Sequence, residues 1–298
     1  MPTLLDFRRR IRSVKNTQQI TRAMKFVAAA KLRRAQERVF AARPYAGETL
    51  SLLRSAVARI ERPAHPLLAR RAEEKVLLLV VTGDKGLCGA FNTNVIRKAQ
   101  EFLREHAGRA LDVIPVGKKG RDALRKRKVG VTAEYINIST RVEYAQAREV
   151  AGRVMEIFTS GQTDAVFAVY NEFKTVLTQR LLVEKILPID PQVFEPAPAE
   201  RAAAGGHGTE AIVDYLYEQP PAEVFDRLLP HHVETQVFRV LLESAAAEHA
   251  ARMTAMDSAT NNASELIDQL TLRMNKARQA SITKEIIEVV SGAASATS

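Results

Sequence analysis

Cys88 is the only cysteine in this 298-residue chain. That excludes an internal disulfide, and with it a stapled secreted scaffold and an intramolecular dithiol switch, so a reducing compartment is expected. Long apolar runs are also missing. The longest, Val76 to Val81 and Ala165 to Tyr170, fall far short of the ~20 residues a membrane-spanning helix needs, so membrane association is expected only through partners. Metal-ligand spacing is absent as well. None of the six histidines, His65, His106, His207, His231, His232 and His249, stands at zinc spacing from a cysteine or a second histidine. The acidic pairs, Glu73 with Glu74 and Glu285 with Glu288, read better as solvated helix faces than as acid–base groups.

What is present is the composition of a folded chain, 46% apolar and 26% charged, which excludes a disordered tail. The net charge of +10 is concentrated at one place. Residues 1–43 hold twelve basic side chains against only Asp6 and Glu37, and the rest of the chain carries 32 of each sign. Any electrostatic partner should therefore face one element. An Arg-rich, acid-poor start also suits a mitochondrial transit peptide, although the apolar core of a secretory signal is missing.

Glycine and proline are absent over two long stretches, from Thr3 to Arg43 and from His231 to Ser291. The first lies between Pro2 and Pro44, which reads as helix punctuation at both ends. Its apolar series, Phe7, Ile11, Val14, Ile20, Met24, Val27, Ala28, Leu32, Ala35 and Val39, recurs at steps of mostly three and four. If wholly helical it is roughly 60 Å long. The second stretch has room for roughly 90 Å of helix. Leu242, Ala246, His249, Met253, Met256, Thr260, Ala263, Ile267, Leu270, Met274, Ala277 and Ser281 alternate steps of four and three, the seam of a left-handed coiled coil. Small and polar residues hold many seam positions, so burial along it needs completion from outside.

Between these stretches, strands and helices alternate. Strands are expected at Val76 to Val81, Leu111 to Val116, Val131 to Ile138, Ala165 to Tyr170 and Leu181 to Leu187. Helices are expected at Asn94 to His106, Lys118 to Lys128 and Val142 to Thr159. Pro188 to Gly208 reads as a surface excursion, and Pro220-Pro221 as the lead into a short helix before the long one. The fold class expected is α/β: long N- and C-terminal helices paired as an antiparallel left-handed coiled coil, with an inserted Rossmann-like, mostly parallel sheet domain. The expected division is an N-terminal helix over 1–62, the inserted domain over 63–208 and a C-terminal helix with a short preceding segment over 209–298.

The turn TGDKGLCGAFN, residues 82–92, stands after the first strand and before a helix, where α/β folds cradle phosphate. It ends without the Gly-Lys-Ser/Thr of a P-loop and lacks the G-x-G-x-x-G order, so a tight strand-to-helix turn is favoured over a nucleotide site. Cys88 within it reads as an apolar filler rather than a nucleophile. Three functional classes stand at this point: a nucleotide-binding α/β enzyme, a basic coiled-coil nucleic-acid binder, and a basic helix pair inserted into an acidic protein cavity. Aromatics suited to base stacking are sparse, which counts against the second.

Three segments carry a family resemblance. The runs IRSVKNTQQITRAMKFVAAAKL (11–32), GLCGAFN (86–92), and AEHAARMTAMDSATNN (247–262) continuing to NKARQASITKE (275–285) closely resemble the gamma subunit of bacterial F-type ATP synthase, in order along essentially the whole chain. Ala90 stands where the family has a second glycine in the turn. The resemblance implies the central-stalk rotor subunit. It couples ion-driven rotation of the membrane c-ring, taken to be proton-driven, to ATP synthesis and hydrolysis in a hexamer of alpha and beta subunits. It further implies epsilon as a partner, no nucleic acid, no cofactor or metal, and no catalytic site in this chain, the ATP chemistry belonging to beta. By motif match, Met24 and Lys25 fall where the family meets the acidic lever loop of beta, and Arg252 and Gln279 where it meets loops of the surrounding ring. The basic segment is then the matched helix rather than a transit peptide. The implied location is peripheral, on the cytoplasmic face of the bacterial inner membrane.

Overall fold

The computed structural model describes residues 3–60, 65–127, 129–194 and 219–296. Its elements in chain order are α1 (Leu4–Val57), β1 (Lys75–Val81), α2 (Phe91–Glu105), β2 (Ala110–Val116), α3 (Lys118–Lys126), α4 (Tyr144–Thr159), β3 (Ala165–Phe173), β4 (Gln179–Leu187) and α5 (Pro221–Ala296), with 3-10 turns at Pro66–Leu68 and Pro191–Phe194. The chain divides into two compact units, Ala30–Ala251 on one hand and Met1–Ala29 with Arg252–Ser298 on the other.

The larger unit is built on a four-stranded sheet of order β2-β1-β3-β4, in which β1 runs parallel to β2 and β3, and β4 runs antiparallel to β3. β1 is apolar without alternation because both of its faces are covered, which is how a central parallel strand reads. Val76, Leu78 and Val80 pack with Val95, Ala99 and Phe102 of α2 and Leu124 of α3. Leu77, Leu79 and Val81 turn to the other face. There they join a core made with Val150, Val154 and Phe158 of α4, Leu53 and Ala56 of α1, and Phe225, Leu229 and Val237 of α5.

Two polar networks tie the helices to this core. Arg239 of α5 binds the carboxylate of Glu184 in β4 and donates to the Tyr170 hydroxyl of β3 at 3.2 Å, while Tyr170 donates to Glu184 at 2.6 Å. Burial works against the Arg239 charge, but Glu184, Tyr170 and Glu243 outweigh it and hold the guanidinium more firmly protonated than usual. In the second network Tyr144 of α4 donates to Glu234 at 2.6 Å, and His231 meets both Glu234, at 3.1 Å, and the Tyr45 hydroxyl of α1, at 2.9 Å.

Four expectations need correction. Pro44 does not end α1, which continues to Val57 with Val39, Thr49 and Leu53 buried on either side of the proline. Tertiary packing there offsets the cost of a missing N–H and a crowded carbonyl, about 3 kcal/mol. Pro230 is likewise absorbed within α5, so the short helix after Pro221 and the long one are a single helix, with Leu229 and Val233 buried around the proline. Val131 to Ile138 is not a strand. It touches β2 only through isolated bridges at Val131 and Tyr135, and Asn137 takes a left-handed conformation that breaks any further ladder. The excursion expected from Pro188 begins inside the core instead of on the surface, with Ile189 and Phe194 buried, and the remainder to Gly208 lies outside the described residues.

In the smaller unit α1 and α5 pair antiparallel. Contacts that rise along α1 fall along α5: Gln18 with Ser264, Thr21 with Thr260, Lys25 with Asp257. On α5 the positions Met256, Ala263 and Leu270 are buried, with Met253, Thr260, Ile267, Met274, Ala277 and Ser281 half-buried between and after them. That is the 3.5-residue period of a left-handed pair. After Ser281, every residue to Ser291 is exposed.

Candidate interaction surface on the helix pair

On α1 the seam runs through Phe7, Ile11, Val14, Gln18, Thr21, Lys25 and Ala28, all buried or half-buried. The steps are again four and three, so the buried line keeps its period while its chemistry changes. Through the middle it is polar, and the apolar residues expected there, Ile20 and Val27, are about 60% exposed together with Phe26. The reason is helical geometry: an ideal seam continues from Val14 to Gln18 and Thr21, and Ile20 falls about 100° to 200° away from those positions.

The polar stretch is satisfied across the pair. Gln18 Nε2 donates to Ser264 Oγ at 2.6 Å, the Thr21 and Thr260 hydroxyls lie 2.8 Å apart, and Lys25 Nζ donates to Asp257 Oδ1 at 2.6 Å. The hydroxyls also turn back onto their own helices, Thr21 to the carbonyl of Gln18 and Thr260 to that of Met256. Each group thus finds partners without needing a dry environment.

Outside the seam, α1 presents Arg8, Arg9, Arg10, Arg12, Lys15 and Arg22, all exposed, interspersed with the exposed apolar side chains Leu5, Ile20, Phe26 and Val27. On α5 Leu266 and Leu272 are exposed along the pair, and the densest group of exposed apolar side chains is at the end, at Ile282, Ile286, Ile287, Val289 and Val290. Large apolar groups left uncovered in this number mark surfaces that another molecule covers.

Of the four residues singled out by resemblance, Met24 and Lys25 are adjacent and half-buried on α1. Arg252, half-buried, stands five residues before the Asp257 that pairs with Lys25. These three belong to one stretch of the helix pair. Gln279 does not join them. It is exposed on α5, about 40 Å further along at 1.5 Å per residue, and its carbonyl accepts from Thr283 at 3.0 Å. Gln18, Ser264 and Asp257 were not picked out from the sequence. The signal that could have found them is the unbroken four-three count on α1, read without insisting on apolar residues.

The phosphate-shaped turn is filled by the protein's own groups. Asp84 Oδ1 accepts from the backbone N–H of Lys118 at 3.0 Å, at the start of α3, and from that of Asn137 at 2.9 Å, while Oδ2 accepts from the Ser139 hydroxyl at 3.0 Å. Thr82 Oγ1 takes the N–H of Gly120 at 2.8 Å, and Asn92 Oδ1 takes that of Gly83 at 2.8 Å. The buried Glu248 carboxylate packs so close to Gly83 that a β-carbon there would meet it at 2.7 Å. Asp84 thus caps the start of α3 and not that of α2, whose N-cap Ala90 makes no side-chain hydrogen bond, while the Glu248 carboxylate beside Gly83 adds negative charge next to the turn. Cys88 is buried against Phe91 and Ala247, and its sulfur accepts from Asn92 Nδ2 at 3.1 Å. Ala90 has φ −86°, open to any residue, so the missing glycine costs this turn nothing.

Known proteins match the chain from end to end. The ATP synthase family matches residues 3–296. The ATP synthase gamma chain of Solibacter usitatus is 55% identical over 99% of this chain and 100% of its own length. That of Pelotomaculum thermopropionicum is 47% identical over 99% of both. Among solved structures, a chain of the central stalk and c-ring of Tetrahymena thermophila mitochondrial ATP synthase is similar at 26% identity with a TM-score of 0.58, covering 80% of this chain and 99% of its own. A chain from the OSCP/F1/c-ring structure of the Euglena gracilis enzyme shares the fold, at TM-score 0.65 and 22% identity over 98% of this chain and 94% of its own.

Proposed function

The chain belongs to the ATP synthase gamma chain family, and from that premise we propose that it is the central-stalk rotor subunit of a proton-translocating F-type ATP synthase. It couples rotation of the membrane c-ring to ATP synthesis and hydrolysis in the alpha/beta hexamer, with epsilon as a further partner. The observation that carries this is the helix pair of the smaller unit: its inner seam is closed by its own hydrogen bonds, while its outer faces mix exposed cations with exposed large apolar groups. Such a surface suits a partner that surrounds the pair and is not gripped at any one point. Met24, Lys25, Arg252 and Gln279 are the proposed contacts with the hexamer. The proposed division is an N-terminal shaft helix within 1–62, the inserted domain within 63–208, and a C-terminal shaft helix with a short preceding segment within 209–298.

The chain is a subunit of an enzyme complex, and we assign it no catalytic site of its own. The turn of residues 82–92 supports that assignment, since it lacks the P-loop and dinucleotide-loop orders and has the buried Glu248 carboxylate packed against Gly83. No helix among the described residues is long and apolar enough to cross a membrane. The location we propose, from the family, is peripheral, at the cytoplasmic face of a bacterial inner membrane, held through partners.

Reconstitution tests this. Mixed with alpha and beta subunits, the chain should co-elute with them on gel filtration and raise their ATPase rate, whereas the purified chain alone should hydrolyse nothing. Turnover by the isolated chain that disappears in D84A would favour a nucleotide enzyme. Sequence-dependent retention on duplex DNA at physiological salt, lost when Arg8, Arg12 and Lys15 are neutralised, would favour a nucleic-acid binder.

A further inference from the structure

We propose that Asp257 is a positioning residue for Lys25, an internal carboxylate that competes with an acidic partner surface for the same ammonium as the helix pair turns. The inference rests on the rotor reading above and on Lys25 as one of its contacts. Its starting point is that the Lys25 ammonium, set among the most basic part of the chain, is already engaged: Nζ lies 2.6 Å from Asp257 Oδ1.

Three features make this pair more than an incidental surface contact. Lys25 occupies the seam position one step after Thr21, and Asp257 stands beside the seam residue Met256, so the pairing of the helices itself holds the two groups together. The neighbouring pairs, Thr21 with Thr260 and Gln18 with Ser264, are neutral and fix the register, leaving Lys25 with Asp257 as the charged member of the polar stretch. Finally, the side chains keep 37% and 47% of their exposure. An approaching carboxylate can therefore reach the ammonium without any part of the pair unfolding.

Charge complementarity selects the partner. Residues 1–43 carry twelve cations against two anions, and Arg8, Arg12, Lys15 and Arg22 are exposed on α1, so the surface this face meets is acidic. A cation with no internal partner gains one ion pair whenever an acidic group comes into reach and loses it when that group leaves. The contact is then sticky once per passage. With Asp257 in place, the ammonium exchanges one carboxylate for another of similar exposure, and the net gain nearly cancels. Lys25 can thus be shared as the shaft turns, and Asp257 sets how lightly it is held.

The test uses complexes assembled from alpha, beta and this chain, with subunit stoichiometry checked by gel filtration and ATPase turnover measured at saturating ATP from low to high KCl. Wild type is compared with D257N, D257E, K25Q and K25Q/D257N. D257N should slow turnover about 1.4-fold to fivefold at low salt, the range of one exposed ion pair, and the deficit should vanish at high salt. D257E should restore the wild-type rate, and the double variant should match K25Q, because without the ammonium nothing is left to tune. D257S reports the same comparison if D257N does not assemble. The inference is overturned if D257N slows turnover equally when Lys25 is absent, which would make Asp257 merely structural. It is also overturned if D257N behaves as wild type while K25Q changes the rate or its salt dependence, in which case the Lys25 contact stands and the tuning does not. If K25Q itself leaves both unchanged, Lys25 is no contact and the inference falls with that reading.

Discussion

Asp84 illustrates how a single side chain joins separate stretches of backbone. It stands in the turn after β1, and its carboxylate reaches out of that turn to take the N–H groups of Lys118, at the start of α3, and of Asn137. His232 makes a comparable point about pH. It is buried on α5 with Nε2 lacking a hydrogen-bond partner, and burial, aided by the Arg239 charge, pushes its pKa down to about 4. Between its ordinary value of 6.5 and about 4, the unfolded chain binds a proton there that the folded chain refuses. Stability therefore falls with falling pH across that window, by up to about 1.4 kcal/mol per unit, and the imidazole adds no further slope below it. H232L removes this contribution while leaving the carboxylates to titrate. Urea midpoints of the isolated chain between pH 7 and pH 4.5 should fall less steeply in H232L than in wild type, and parallel curves would show that His232 is not what acid attacks.

Helices and strands differ in how much of them could be read beforehand. β1 and β3 were legible because buried parallel strands are written as apolar runs, β2 and β4 from shorter apolar stretches, and α4 because its apolar positions recur at helical spacing. The ends of α1 and α5 were not, because Pro44 and Pro230 carry a local signal to stop that distant packing overrides. The seam of α5 was legible to Ser281. That of α1 was misread between Val14 and Ala28, where hydrogen bonds to the other helix take the place of apolar contact. What a polar residue buries cannot be read from its own helix, since its partner is more than two hundred residues away. The energetics of that stretch can be measured through the threonine pair. Replacing Thr21 alone by Val leaves the Thr260 hydroxyl short of one partner and should destabilise the chain by about 1 kcal/mol, whereas T21V/T260V removes both polar groups and should be near neutral or stabilising. Thermal melts of the two single variants and the double give the coupling directly. Additive losses in the double would mean the hydroxyls act independently and the 2.8 Å contact contributes nothing to the pairing.

At the scale of the whole molecule the question is what keeps such a chain in a complex while it turns, charge or apolar burial. Cations crowd residues 1–43, but an exposed ion pair contributes only about 0.2 to 1 kcal/mol, and Lys25 and Arg33 already have partners in Asp257 and Glu37. The end of α5 offers the other possibility. Ile282, Ile286, Ile287, Val289 and Val290 stand about half to three-quarters exposed, and covering what remains of each gains about 1 to 2 kcal/mol. Burial there outweighs any few cations on α1. Replacing Lys25, Arg33 and Arg34 together by Gln should leave assembly with alpha and beta subunits nearly intact while altering the ATPase rate and its response to salt. Truncation after Ala277 should do the reverse, releasing a substantial part of the chain from the complex during gel filtration. Stoichiometry after gel filtration and ATPase against KCl measure both. A triple Gln variant that fails to assemble, beside a truncated chain that assembles normally, would mean that charge holds the shaft and that the exposed end of α5 serves some other contact.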